Sequence, residues 1–254
     1  MGNHTAAMES LASTWAALVE RHPAHAIEFY GPIVVQLVSF WLPSALYIAL
    51  DPLFPTFSAA HKLQPAPKQP TSAEIRHCFL VTFRNQLISL GLATTIYYLA
   101  IPSPLRVSPE LPPLGEVAVH IVACTLMREV FFYYTHRLMH VPSLYRLVHK
   151  AHHRFTAPVS LASQYAHPVE HIVSNILPVI GPPAVLGTHI LTAWIFLGMI
   201  LLETCTVHSG YDFFGNLAEM HDEHHRRFTV NFGVVGVLDW AHGTDGTMPP
   251  KKQE

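Results

Sequence analysis

The chain has 254 residues, 50% of them hydrophobic and only 13% charged, with a formal net charge of −2 and 19 histidines. A charged fraction about half the usual one points to a membrane, and the near-neutral balance offers no basic patch for nucleic acid. Cys78, Cys124 and Cys205 stand too far apart for a disulfide framework or a zinc ribbon, so they read as buried apolar thiols.

Residues 1–25 form an N-terminal segment without the basic start and sustained apolar core of a secretory signal peptide. Met1-Gly2 does not make a myristoylation site, because Thr5 falls one place early. Residues 26–50 are apolar over a length that crosses a hydrocarbon core of about 30 Å, and Asp51-Pro52 ends the run. A polar connection carrying Lys62, Lys68 and Arg76 follows. A second apolar stretch, 77–101, has Arg84 and Asn85 near its start, which places that start at the membrane interface. After a proline-rich turn comes a third helix, 116–135, whose Arg128 and Glu129 require a partner or a functional reason inside a membrane.

The chain turns apolar again over 172–207, interrupted by Gly181-Pro182-Pro183. The front limb is too short to span alone, so the expectation is a helical hairpin turning at these three residues and returning to the face it entered. Basic residues in the first connection place it in the cytosol by the positive-inside rule. Counting crossings from there brings residues 136–153 and 221–225 to the cytosol as well. The closing "KKQE" resembles a dilysine retrieval signal of endoplasmic-reticulum membrane proteins, which is read from the cytosol. The expected architecture is all-α: an integral membrane bundle of about four embedded helices, one pair a hairpin, under a cytosolic histidine-rich cap. Its parts are the N-terminal segment 1–25, membrane helices and loops 26–115, a histidine-rich region 116–245 and a tail 246–254.

"HRLMHVPSLYRLVHKAHH" holds five histidines, and "HDEHH" at 221–225 repeats its closing pattern. His136 and His140 are four apart, which stacks two imidazoles on one helical face. His149, His152 and His153, and again His221, His224 and His225, follow i, i+3, i+4. Neutral imidazole is a nitrogen ligand for zinc, copper and iron, and eight histidines exceed what one tetrahedral ion can use. Two metal ions sharing the set is the natural reading. Glu129, Glu203, Asp212, Asp222 and Glu223 are candidates to orient ring N–H groups. "HPVEH" at 167–171 also matches the inverted zinc-peptidase motif, with Glu170 as base, but that reading leaves the other eight histidines without a role. His189, inside an apolar limb, reads as structural, as does His242.

The stretches "EVFFYYTHRLMH", "LYRLVHKAHH", "QYAHPVE", "ETCTVHSGYDF" and "HDEHHRRFTVNFGVVGVLDWAHGTD" together resemble the fatty acid hydroxylase superfamily, the membrane di-iron oxygenases of the endoplasmic reticulum. "YAHPVE" and "HSGYDF" are most similar to the sterol C4-methyl oxidases. The resemblance implies ligand roles for His136, His140, His149, His152, His153, His221, His224 and His225, and adds His167 and His208. Glu170 joins Glu129, Glu203 and Asp212 as an orienting carboxylate. His171 falls where the family carries an apolar residue and stays outside the ligand set. The resemblance further implies two iron ions, O2 as co-substrate, and electrons from NAD(P)H through a separate cytochrome b5 or its reductase. The expected function is oxidation of an unactivated C–H bond in a sterol-like membrane lipid, with a C4-methyl group as the first candidate. Another lipophile, desaturation, or a non-catalytic metal-binding role are the alternatives. "FGNLAEM", between "HSGYDF" and "HDEHH", is shorter than the family's usual segment, so the substrate does not carry over.

Overall fold

The computed structural model describes residues 2–65, 67–213 and 216–246. Among them there is no strand, only two isolated bridges, Lys62 to Tyr211 and Arg106 to His189. Four helices are long and apolar enough to cross a membrane: Ala24–Leu53 (α2), Leu114–Met139 (α5), Pro168–Leu186 (α7) and Ile190–Val207 (α8). Ahead of them runs α1 (Gly2–Arg21), between α2 and α5 lie α3 (Pro55–His61) and α4 (Ser72–Tyr98), and the short α6 (Pro142–Leu147) follows α5. Between 17% and 33% of each span's apolar window is buried inside the protein. The outward faces, with Leu46, Val122, Leu126 and Val185 exposed, are therefore suited to lipid rather than water.

A further long helix, α4, carries polar residues for a reason visible in its packing. It starts at a capping box in which Thr71 Oγ1 accepts from Glu74 N and the Glu74 carboxylate accepts from Thr71 N. Further along, fully buried Asn85 donates to the carbonyls of Gln164 and Ala166, and Arg84 donates to Ala166. These bonds fix α4 against the 155–167 segment, so its polar residues serve the inside of the bundle.

Two ends of the bundle follow from the cross-links. At one end, Leu63 N donates to Gly210 O at 2.9 Å, and Gln64 Nε2 donates to Thr156 O at 2.6 Å. The connection bearing Lys62 and Lys68 therefore lies beside both histidine-rich segments. At the other end, Arg106 N donates to Thr188 O and Ile190 N to Arg106 O, both at 2.9 Å, while Trp15 Nε1 donates to Ser108 O. This ties α1, the proline-rich turn and the tip of the α7–α8 hairpin together. The role of Trp15 as a buried anchor against His189 and Trp194 was not visible in the pattern of residues 1–25.

The hairpin itself departs from expectation in where it turns. Gly181-Pro182-Pro183 sits inside α7, which runs on to Leu186 and makes the front limb a full 19 residues. The turn is made by Gly187, whose φ of 56° is the left-handed cap that favours glycine. His189 then caps α8, its Nδ1 accepting from Leu191 N. Proline is tolerated inside membrane helices because neighbouring groups re-satisfy the freed carbonyls, and α7 further absorbs its prolines with a π turn at His171–Ile176. All three cysteines are buried and unpaired, Cys124 and Cys205 in cores that α8 shares with its neighbours. The residues of the dilysine-like ending lie outside the described part of the chain.

Candidate metal centre

Four pieces of chain carry histidines to one end of the bundle: the end of α5 (His136) with His140 just beyond it, the 3-10 helix His149–Arg154, the residue after α8 (His208), and α9 (Asn216–Arg227). Their ring nitrogens fall into two groups whose atoms lie within 4.8 Å of one another: His136, His140, His149, His153 and His224 in the first, His152, His208, His221 and His225 in the second. The triplets are therefore divided. His149 and His153, four apart, go to the first group and His152 to the second; His221 and His225 go to the second and His224 to the first. All are buried except His140 and His221, which are partly so.

Each group is organised from its outer nitrogen. His136 Nδ1 donates to Phe232 O at 2.8 Å, His224 Nδ1 to Val230 O at 2.6 Å, and His208 Nδ1 to Thr204 O at 2.9 Å. His149 Nδ1 meets Glu170 Oε1 at 2.6 Å. A carbonyl can only accept, so in His136, His224 and His208 Nδ1 carries the proton and Nε2 presents a lone pair. The inner nitrogens are crowded. In the first group His140, His149 and His153 form a triangle of Nε2 contacts at 2.9, 3.2 and 3.0 Å, and His224 Nε2 lies 3.2 Å from His153 Nε2. In the second, His221 Nε2 is 2.8 Å from His208 and 3.1 Å from His225. Each Nε2 is either an N–H or a lone pair, so at least one side of the triangle joins two of the same kind, and protons cannot satisfy all three. A cation can: two nitrogens bound to one ion at about 2.1 Å and near a right angle stand about 3.0 Å apart.

Electrostatics agrees. Burial first, and neighbouring imidazoles second, hold His149, His153, His208, His221, His224 and His225 well below the usual imidazole range. His140 is pushed down to about 2 by burial and by His136, and His152 to about 4 by burial. These rings are neutral at physiological pH and bind metal without first releasing a proton. The donor set is all nitrogen, which suits iron, zinc, copper or nickel, and five donors in one group exceed a tetrahedral site.

The remaining expected residues fall elsewhere. His167 belongs to neither group; its Nδ1 accepts from Val169 N and caps the start of α7. Glu129 binds no ring. Its carboxylate accepts from Val234 N, Val235 N and Leu238 N. Together with Asp239, which accepts from Phe232 N and Gly233 N, it holds the loop whose carbonyls orient His136 and His224. Glu203 pairs with Arg128 at 2.6 Å, and Asp212 with His61 at 3.0 Å. Buried Asp222 takes two bonds from Gln64, and burial pushes its carboxyl up to about 6. Glu223 pairs with Arg226 and Arg227. The peptidase arrangement is absent: Glu170 serves His149, and His171 Nε2 meets Ser89 Oγ at 2.8 Å.

Asp239 and the carbonyl acceptors escaped sequence reasoning. Carbonyls carry no residue signature, and Asp239 stood only within a matching run, "NFGVVGVLDWAHGTD". A cavity opens directly beside both groups. It is lined by His136, His149, His152, His208 and His221, and by Phe132, Val179, Ile200 and Leu201 from the spanning helices.

The family model described as fatty acid hydroxylase matches residues 121–244. Human fatty acid hydroxylase domain-containing protein 2 is 37% identical over 223 residues, 85% of this chain and 66% of that protein. Methylsterol monooxygenase 2-2 of Arabidopsis thaliana is 29% identical over 247 residues, covering 92% of this chain and 91% of the relative. Very-long-chain aldehyde decarbonylase GL1-10 of Oryza sativa subsp. japonica is 30% identical over 253 residues, 94% and 83% of the two chains. The chain thus spans just under two thirds of the human protein's length. No solved structure matches.

Proposed function

The chain belongs to the fatty acid hydroxylase family, and on that premise we propose that it is an O2-dependent membrane di-iron monooxygenase of a sterol-like lipid. The observation that carries this reading is the placement of two buried, all-nitrogen groups against a cavity walled by membrane-spanning helices. Bound there, two irons supply the activation of dioxygen that oxidation of an unactivated C–H bond requires and that no side chain can provide. Overall, one C–H bond becomes C–OH, the second oxygen atom leaves as water, and two electrons and two protons are consumed.

The chain's own residues do the rest. His136, His140, His149, His153 and His224 hold one ion, and His152, His208, His221 and His225 the other. Glu170, Phe232, Val230 and Thr204 fix ring orientation and tautomer through Nδ1. Phe132, Val179, Ile200 and Leu201 give the cavity an apolar wall that excludes water and accepts lipid. The reading places the metal end on the cytosolic face of the endoplasmic reticulum, supported by the basic connection at that end. There a cytochrome b5 or its reductase, fed by NAD(P)H, delivers the electrons.

A C4-methyl group of a sterol is the first candidate for the oxidised carbon, supported by relatives named methylsterol monooxygenases. A relative named as an aldehyde decarbonylase supports a second reading, the same machinery on a long-chain lipid. The test is turnover of sterol and fatty-chain substrates by reconstituted enzyme under 18O2. One 18O atom in the product supports the proposal. Consumption of no substrate by iron-loaded, reduced enzyme would refute it.

A further inference from the structure

Arg128 and Glu203 form an ion pair inside the membrane bundle, one on α5 and the other on α8. The contact is 2.6 Å, from Arg128 Nη1 to Glu203 Oε2. Both residues line the cavity that reaches the histidine groups. Arg128 sits about two turns before His136 along α5, toward the middle of the membrane span. Among the described residues neither side chain hydrogen-bonds a histidine, so the pair does not orient a ligand.

An intramembrane charge is costly and calls for a functional reason, and replacing such a pair with packed apolar side chains often costs nothing. Holding α5 to α8 therefore does not by itself account for it. The hydrogen-bonding account of the pair is unfinished. A guanidinium has five N–H donors, yet among described residues Arg128 makes one hydrogen bond, to Glu203. Glu203 Oε1 accepts from no described residue, and its side chain is 25% exposed against 8% for Arg128. A donor-rich cation thus stands beside an open acceptor, with no net charge.

We propose that this pair is the site that reads the polar group of the substrate, and that the group is a neutral hydroxyl. A hydroxyl both accepts and donates, so it can take a bond from Arg128 while giving one to Glu203. A carboxylate would meet the negative charge of Glu203, and a hydrocarbon would leave the remaining donors unmet. Anchoring the hydroxyl fixes which carbon is presented to the histidines, so the pair sets both substrate class and position of oxidation. This rests on the lipid-oxidation reading above and narrows it to lipid alcohols.

The test compares ligands differing at one group, in mixed micelles with metal-loaded enzyme, by ligand-induced thermal shift and competition. The probes are 1-hexadecanol, palmitic acid and hexadecane, and cholesterol against its hydrocarbon counterpart lacking the hydroxyl. The wild type should bind each alcohol at least about 10-fold more tightly than its hydrocarbon, because a site built to bond a hydroxyl rejects the analogue without it. Hexadecanol should also surpass palmitic acid. The double variant Arg128→Met with Glu203→Leu removes the pair without stranding a charge. It should keep its metal while the alcohol preference falls to about 1, and any product should scatter over several carbons. Arg128→Lys should recover part of the preference.

A wild-type ratio near 1, preference for palmitic acid, or an unchanged ratio in the folded double variant would each overturn the proposal. Because the ratios are read without turnover, an alcohol preference in an enzyme that oxidises nothing would sink the oxygenase reading while leaving the hydroxyl site standing.

Discussion

His152 and His153 are neighbours in the chain, yet their imidazoles, 5.5 Å apart and crossed at 81°, belong to different nitrogen groups. His224 and His225 are divided the same way, with ring planes at 89°. Two adjacent pairs, on separate segments, thus hold the two groups side by side. In each pair the two groups are joined through a single peptide unit.

His152→Ala and His153→Ala should therefore have separable first effects. The former removes a donor from the four-nitrogen group and the latter from the five-nitrogen group. Both should abolish measurable turnover while leaving circular dichroism unchanged. His242→Ala should retain activity within about twofold, since exposed sites away from special features cost little. His242 stacks on Tyr133 and meets Tyr134 Oη at 3.1 Å, outside both groups. Equal loss in all three folded variants would contradict the ligand assignment.

Glu170→Gln keeps the shape of the side chain but weakens its bond to His149 Nδ1, now 2.6 Å. Partners of this kind typically contribute about 10- to 100-fold to metal affinity or activity. A loss in that range, measured by metal competition with a chelator, is expected with little change in the unfolding midpoint.

Gly233→Ala tests the loop that orients His136 and His224. A Cβ there would stand 2.7 Å from both Asp239 Oδ2 and Glu129 Oε1, the two carboxylates that hold the loop's N–H groups. The variant should lose about 1–3 kcal/mol of stability, the usual cost of overpacking, and bind metal more weakly. Unchanged thermal unfolding and unchanged metal content would show that the loop does not carry the ligands' orientation.

Metal-free protein should be acid-sensitive. His140, held near 2, and His152, near 4, stay neutral when folded but take up protons near pH 6.5 when unfolded. Their folded values are depressed, so the unfolded state binds more protons below pH 6.5, and stability falls as pH drops. The slope is about 1.4 kcal/mol per pH unit for each such histidine. Unfolding midpoints of chelator-treated protein between pH 8 and 5 should fall with acid, and metal should raise them most at the upper end. A flat profile would contradict the buried, neutral state of these rings.

Much of this was legible in the primary structure because spacing is local. The i, i+3, i+4 histidines, the apolar runs and the all-α membrane architecture follow from residues within a turn or a span of one another. What was not legible depends on distant chain. Glu129 and Glu203 looked like partners for ring N–H groups, but their actual partners are Val234, Val235 and Leu238 in one case and Arg128 in the other. The division of each triplet between two groups depends on how the 3-10 helix at His149–Arg154 meets α9. His167, expected among the ligands, stands outside both nitrogen groups and caps the start of α7 through Nδ1, a contact set by the local backbone. Gly181-Pro182-Pro183 reads as a turn until Gly187, with its left-handed backbone, is seen to make it.

The most direct test of the central claim is metal content per chain in detergent-purified protein, set beside His152→Ala and His153→Ala. Two ions per wild-type chain, with occupancy reduced in each variant at full helical content, is the predicted result. A single ion, or none in reproducibly folded protein, would contradict a two-metal centre and the oxygenase built on it.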